Sequence, residues 1–298
     1  MKFSIITVSY NPGGKLKETL HSVAKQTYRD YEVIVKDGGS TDGSTDFLKE
    51  IIWGHFDAGN AVFSEEFFSH IRFFEGKDKG IYDAMNQAVA QATGEFVLFL
   101  NCGDMLADER VLERVAAVID ETRSLRNQEI EAERKQKPYV FYGDTFSDKT
   151  KVTIASAPRI TGFTCYRNIP CHQSCFYSTD LCKKKPYDLQ YKIRGDYEHF
   201  LWCFYRGKAE FVHMDFAVSS YEGGGYSESK ENMQRDKQEH RQITSAYMGK
   251  AELLKYKTIM ALTLAPLRRK MAENKVFSGV YHWIKEEIYK QKQKMSDK

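Results

Sequence analysis

The apolar run FVLFL ends abruptly on Asn101, Cys102, Gly103 and Asp104. An amide, a thiol, a glycine and a carboxylate at the end of a buried strand make either a simple turn or a site for a metal ion or a phosphate group. Two other apolar runs end in a similar way. One is followed by Ser9, Tyr10 and Asn11, the other by Asp37, Gly38, Gly39 and Ser40. In GIYDAMNQ, Asp83 is followed by Asn86 and Gln87 at i+3 and i+4, which puts all three on one helical face. An aromatic ring, several carboxylates and glycines that allow close backbone approach suit a nucleotide bound with a divalent cation. The ring stacks on the base, one carboxylate accepts from a base N–H, and another holds the metal. The plainer alternatives are a turn and helix cap at Asp37–Gly39, and a capped or solvated helix face at Asp83 and Asn86. Two familiar phosphate loops are absent: no G-x-x-x-x-G-K-[ST] occurs, and the first strand is followed by YNPGG rather than G-x-G-x-x-G.

These residues need a scaffold that brings strand ends together. Lys2–Ser9 is β-branched and apolar and predicts a strand, and NPGG turns the chain. Leu16, Leu20, Val23 and Ala24 recur at helical spacing over about Lys15 to Gln26. YEVIVKD predicts a second strand, and Phe47, Leu48, Ile51 and Ile52 a second helix. Residues 53–70 read as an irregular insertion. IRFFEG, EFVLFL and YVFYGD predict further strands, separated by GIYDAMNQAVAQATG and the long helical run that starts at VLERVAAVID. Strands alternating with helices predict an α/β fold with an open, mostly parallel sheet flanked by helices. In such sheets ligands bind beyond the carboxyl ends of the strands, where the residues above stand. After about Phe146 the pattern changes to shorter, mixed segments.

The ordered set of motifs is similar to a known family. SIITVSYNPGGKLKETLHSVAKQTYRDYEVIVKDGGSTDGS resembles the opening of family 2 glycosyltransferases of the GT-A, Rossmann-like fold, and DKGIYDAMNQAVAQATGEFVLFLNCGD extends the match to Asp104. The resemblance is closest to bacterial polysaccharide-assembly members of the colanic acid, capsule and O-antigen type. It thins to CHQSCFYS, RGDYEHF and FAVSSYEGGGYS further on. It implies a nucleotide-sugar donor, a saccharide or lipid-linked saccharide acceptor, and transfer with inversion. It also implies roles for residues. Tyr10 lies on the nucleobase and Asp37 accepts from it, with Ser9, Gly38, Ser40, Asp83, Asn86 and Asn101 completing the donor site. The end of strand four holds Mg²⁺ or Mn²⁺ on the donor diphosphate. Its usual D-S-D-D is here N-C-G-D, which leaves Asp104 as the metal carboxylate. Asp196 of RGDYEHF matches the general base, with Gly195 where a glutamate usually stands. His172 and Gln173 fall in an acceptor-side segment; a lone histidine is more often structural, so neither joins the catalytic set. GGGYS at 223–227 is read equally as a lid over the diphosphate or as a plain loop. On this reading residues 1–145 form the nucleotide-sugar half, 146–248 the acceptor half of the same domain, and 249–298 a basic amphipathic helical extension.

The net charge of +3 hides an asymmetry. Residues 250–298 hold twelve Lys and Arg against five Asp and Glu, so the rest of the chain is net negative. The total argues neither for nor against nucleic acid, and no nucleic-acid partner is expected. The distribution is compatible with a helix lying on an anionic membrane surface, or with one packed on the domain with its basic face in water. No segment approaches the roughly 20 apolar residues that span a bilayer, and the N-terminal apolar run is too short for an export signal. The expected location is the cytoplasm, peripheral to the membrane if the tail binds it, with six reduced cysteines. Cys171, His172, Cys175 and Cys182 lack the paired C-x-x-C spacing of structural zinc. The rivals to a glycosyltransferase are a nucleotidyltransferase, for which YNPGG lacks a basic residue, and a non-catalytic nucleotide-binding relative that has lost its metal site.

Overall fold

The computed structural model describes residues 1–52, 63–129, 137–221 and 232–262. β1 (Phe3–Ser9) and β2 (Tyr31–Asp37) are buried along their whole length. A strand covered on both faces needs apolar residues at nearly every position, which is why these segments do not alternate. With β3 (Ile71–Glu75) and β4 (Phe96–Phe99) they pair in parallel, in the order β3-β2-β1-β4. The crossovers carry α1 (Lys15–Ala24), α2 (Asp46–Ile52), α3 (Glu65–Ser69) and α4 (Ile81–Gln91). Alternate strand residues face opposite layers. Ile6, Val8 and Ile34 pack towards α4, whereas Phe3, Ile5, Val33 and Val35 pack towards α1 and α5 (Val111–Glu129).

The parallel arrangement expected for most of the sheet holds for this half and gives way to a mixed one beyond β4. The strands there are β5 (Asp104–Leu106), β6 (Tyr139–Ser147), β7 (Val152–Ile154), β8 (Cys175–Ser178) and β9 (Glu210–Tyr221). β8 runs antiparallel to both β4 and β6, β6 runs parallel to β9, and β7 and β5 pair antiparallel at the margins. Parallel neighbours need long crossover connections, and the short segments after Phe146 favour antiparallel pairing instead. β5 has no local sequence signal at all. It is three residues long and forms because β9, more than a hundred residues later, offers an edge to Asp104, Met105 and Leu106.

α6 (Gly162–Arg167), α7 (Thr179–Lys184), α8 (Gly195–Tyr205), α9 (Asn232–Tyr247) and α10 (Lys250–Leu262) surround the second half. α10 is the described part of the basic extension. It packs on the domain through buried Tyr256, whose ring meets Phe163 and Tyr166, while Leu254 and Leu262 face outward. The rest of that extension, GGGYS at 223–227 and residues 53–62 of the expected insertion lie outside the described residues. No helix among the described residues is long and apolar enough to cross a membrane.

α8 is apolar nearly all round, and it buries one histidine. His199 is 1% exposed and its Nδ1 has no hydrogen-bond partner. Burial, helped by the nearby Lys185 charge, pushes its pKa down to about 4. The folded protein therefore holds a neutral imidazole where the unfolded chain takes up a proton. Its contribution is complete above the ordinary histidine pKa and is lost as pH falls towards 4. Urea unfolding across this range should show stability dropping by up to roughly 3 kcal/mol through this group. His199→Gln should flatten that acid limb by about one proton; an unchanged slope would assign the acid sensitivity elsewhere.

Candidate functional site

The carboxyl ends of β1 and β2 are laced together by one carboxylate. Asp37 is fully buried and accepts from Ser9 Oγ at 2.8 Å, Ser40 Oγ at 2.6 Å, Ser40 N at 2.7 Å and Gly39 N at 2.9 Å. Burial alone raises its pKa, but these donors outweigh it and hold the group below the ordinary carboxylate range. Ser40 Oγ also accepts from Asn11 N, and Asn11 Oδ1 from Thr41 N, so the two loops form one unit. The expectation that Asp37 accepts from a base meets this arrangement: in the structure its four donors all come from Ser9 and the following turn. Both of its oxygens are spent on the turn, and the hydroxyls of Ser9 and Ser40 are spent on Asp37. These three residues build a hydrogen-bonded floor beneath the cavity, which Ser9 also lines.

Above that floor stands Tyr10, whose ring is 70% exposed. Gly38 separates it from Asp78, which lies between β3 and α4. A Cβ at Gly38 would come within 2.9 Å of Asp78 Oδ2 and 3.2 Å of the Tyr10 ring. Asp78 thus fills the space that a side chain after Asp37 would occupy. It is held there by Gly80 N at 2.9 Å and by the buried Lys36, at 3.4 Å. A cavity of about 850 Å³ opens between Tyr10, Gly38 and Asp78 on one side and Tyr191 and Leu189 on the other. Asp83 lines it too, but its carboxylate accepts from Lys79 N and Gln87 Nε2, closing the first turn of α4. Asn86 points elsewhere. Its Oδ1 accepts from Tyr187 N at 2.8 Å and its Nδ2 donates to Tyr187 O at 2.9 Å. It braces the segment that leads to the far wall, and both polar ends of its side chain are occupied by Tyr187.

The turn at Asn101–Asp104 lies at the other end of the sheet edge. Asp104 N donates to Asn101 O, Gly103 adopts a left-handed φ of 94°, and Lys15 of α1 lies against Gly103. Burial pushes the Asp104 carboxyl up to about 6, against the opposing pull of His172, Asn101 N–H geometry and Lys15. Asn101 Oδ1 is buried with no hydrogen-bond partner. A carboxylate disfavoured by burial and an orphaned amide oxygen on one turn are hard oxygen donors, and they fit a Mg²⁺ or Mn²⁺ ion that takes its other oxygens from a ligand. Among the described residues no cluster of three or more His, Cys, Asp or Glu forms a complete protein cage. The same holds for zinc at Cys171, Cys175 and Cys182; all six thiols are unpaired.

Asp196 opens α8, as expected of RGDYEHF. Its Oδ1 accepts from the Tyr82 hydroxyl at 3.0 Å and its Oδ2 lies 3.5 Å from His172 Nδ1. Burial works to raise its pKa, but the His172 and Tyr82 contacts prevail and keep it below the ordinary range. His172 in turn meets Asn101: Nε2 and Nδ2 are 3.1 Å apart. Burial works to lower the His172 pKa, yet Asp196 and then Asp104 win and hold it above its usual value. The imidazole therefore joins the turn at Asn101–Asp104 to the aspartate of α8. Sequence alone leaves His172 aside, because nothing local distinguishes it from a structural histidine. Gly195 now has a reason: a Cβ there would lie 2.8 Å from the Tyr82 ring, so no glutamate fits.

The two roles at the cleft separate in experiment. Asn86→Ala strands two buried Tyr187 backbone groups and should cost about 1–3 kcal/mol of stability, with little change in nucleoside diphosphate affinity. Tyr10→Ala should do the opposite: near-wild-type unfolding, and affinity weaker by the roughly 1–3 kcal/mol of a lost base stack. Calorimetric titration beside denaturant unfolding of each variant reads both quantities, and an Asn86 variant that loses affinity but not stability would return that residue to the ligand site.

Residues 4–125 match the family model described as glycosyl transferase family 2. A PGL/p-HBAD biosynthesis glycosyltransferase of Mycobacterium tuberculosis is 32% identical over 227 residues, which is 76% of this chain and 78% of the relative. An uncharacterized glycosyltransferase of the same species is 29% identical over 66% of this chain and 67% of its own. Among solved structures, S. aureus TarS 1–349 in complex with UDP-GlcNAc has a TM-score of 0.60 at 21% identity, covering 84% of this chain and 69% of that one. The mannosyltransferase PcManGT from Pyrobaculum calidifontis, in complex with GDP-Man and Mn²⁺, has a TM-score of 0.58 at 14% identity, covering 94% and 83%. Those structural likenesses show the GT-A fold, and the sequence match carries the family: this chain is a glycosyltransferase and belongs to glycosyltransferase family 2.

Proposed function

We propose that the protein transfers a sugar from a nucleoside diphosphate sugar to a hydroxyl of a saccharide or lipid-linked saccharide, with inversion and with a divalent cation, in the assembly of a cell-surface glycan. The observation that carries this reading is the placement of Asp196 against the Asn101–Asp104 turn through a single imidazole. It sets a carboxylate on the acceptor side next to the residues that would hold the leaving group. Tyr10 supports the base and Asp78 faces the space beside it, an acceptor for base N–H groups. Asp104 and Asn101 would hold Mg²⁺ or Mn²⁺, which neutralises charge on the departing diphosphate.

The steps assigned to this chain follow from that geometry. The acceptor hydroxyl approaches the anomeric carbon from the face opposite the diphosphate. Asp196 takes its proton, the new glycosidic bond forms, and the bond to the diphosphate oxygen breaks. A carboxylate kept ionised by Tyr82 and His172 is always ready to accept, but it is a weak base. Positioning therefore contributes more than basicity. We place the enzyme in the cytoplasm, consistent with six unpaired thiols, and assign to its basic extension contact with an anionic membrane that presents the acceptor. The mycobacterial relative is named for PGL/p-HBAD biosynthesis. The polysaccharide assignment thus rests on the motif resemblance.

Two measurements test the reading. A panel of nucleotide-sugars, each with and without Mn²⁺, should reveal one whose turnover releases nucleoside diphosphate and needs the cation. Asp104→Asn should abolish that dependence, and a Mn²⁺ response identical to wild type would move the metal elsewhere. With the donor so identified, Asp196→Asn preserves shape and removes the proton acceptor. It should lower kcat by about 10²–10⁴-fold while nucleoside diphosphate affinity stays unchanged. A full rate would take the base role away from Asp196.

A further inference from the structure

Asp196 is only as well placed as the peptide segment in front of it. That segment, Lys192–Arg194, belongs to no helix or strand. Its three consecutive N–H groups all end on one side chain. Glu239 of α9 accepts from Lys192 N, Ile193 N and Arg194 N, each at 2.9 Å. The glutamate is 4% exposed. A buried carboxylate is costly unless several donors surround it, and here the backbone supplies three of them. Arg235, one turn earlier on α9, stands 4.0 Å from it. Asp236 adds a second grip by pairing with the Arg194 guanidinium at 2.7 Å.

The Ile193 peptide is held from both ends. Its N–H goes to Glu239, and its carbonyl accepts from the Tyr82 hydroxyl at 2.8 Å. That same hydroxyl lies 3.0 Å from Asp196 Oδ1, so its one proton is shared between the two acceptors. The path from α9 to the carboxylate is thus short, hydrogen bonds on either side of one backbone residue: Glu239, Ile193, Tyr82, Asp196. We propose that Glu239 is a positioning residue for sugar transfer, and that α9 serves as the fixed post against which the Asp196 segment is set. The inference rests on Asp196 acting as the base, and it assigns α9 a part in the reaction as well as in the core.

The alternative is that Glu239 contributes stability only. A comparison on the same helix separates the two. Ile243 is fully buried on α9 one turn beyond Glu239, and its side chain has no polar group that could join the hydrogen-bonded path. Ile243→Ala should lower the denaturation midpoint clearly by leaving a cavity, while kcat of the folded enzyme stays within twofold of wild type. Glu239→Gln keeps the side-chain shape but turns an N–H donor towards backbone N–H groups, so the segment must shift. A displacement of about 1 Å at a reacting group is associated with roughly 10²-fold. We expect kcat for nucleoside diphosphate release to fall by at least tenfold, with the affinity for nucleoside diphosphate unchanged. Glu239→Asp, which keeps the charge and shortens the reach, should behave alike and serves if the Gln variant does not fold.

The decisive measurement is a double-mutant cycle with Asp196→Asn. If Glu239 acts through Asp196, Glu239→Gln should lower the residual rate of the Asp196→Asn enzyme by less than twofold. A full tenfold loss in that background, a wild-type kcat for both Glu239 variants, or a loss matched by Ile243→Ala at equal destabilisation would each overturn the proposal. An active Asp196→Asn enzyme would instead overturn the assignment of the base, and is recognised before the cycle is run.

Discussion

The arrangement turns on one imidazole. His172 contacts Asn101 with one ring nitrogen and Asp196 with the other, and Asp196 is shared with Tyr82. Four segments distant in sequence meet there: the end of β4, the turn before β8, the start of α8 and the first turn of α4. Each contact is at least half-buried, where a polar group left unpaired costs more than a satisfied one gains. The network therefore constrains its surroundings. Gly195 must lack a side chain so that Tyr82 can lie against the backbone. β8 must enter the sheet next to β4 so that the turn carrying His172 arrives at the end of β4. The antiparallel β4–β8 pairing is the structural condition for the site.

A second economy concerns negative charge. The site has few carboxylates, and those it has are divided by task. Asp37 is surrounded by donors and serves the backbone. Asp78 occupies the place above Gly38 and shares its charge with buried Lys36, which also donates to the Asp37 and Gly76 carbonyls. Asp104 is left with little hydrogen bonding, and burial raises its pKa. Asp196 has strong partners and stays ionised. Two aspartates of the same type, one pushed up and one pulled down, thus flank His172. A carboxylate held in its charged form thus stands across one imidazole from a carboxylate whose charge burial disfavours. That division follows from partners and burial, both of which depend on tertiary structure.

Much of this was legible in the sequence, for reasons that also mark the limits. The parallel strands announce themselves because burial on both faces demands continuous apolar runs. The rule that ligands gather at strand ends then selects Tyr10, Gly38 and Asp104. The same rule applied to β3 reaches Asp78, three residues past the strand end in GKDKG, where nothing local marks it off from an ordinary loop carboxylate. Asn86 shows the opposite failure: sharing a helical face with Asp83 did not mean facing the same neighbour, since the bracing partner, Tyr187, lies a hundred residues away. The inward turn of Asp37 was likewise invisible, because a carboxylate followed by Gly-Gly-Ser serves a turn and a ligand equally well. His172, Glu239 and β5 depend on contacts between distant segments and leave no local signature.

The pairing of β5 with β9 bears on how such enzymes can be recombined. Asp104 sits directly opposite Tyr221 in that two-strand ladder. A residue that directly follows the parallel half of the sheet is thus aligned by a strand more than a hundred residues later. In this chain a graft that kept β5 and replaced everything after it would exchange the ruler that sets the height of Asp104. Chimeras with a cut between β5 and β9 would need to carry β9 with its native register, and libraries aimed at the later segments should leave Ser219, Ser220 and Tyr221 untouched.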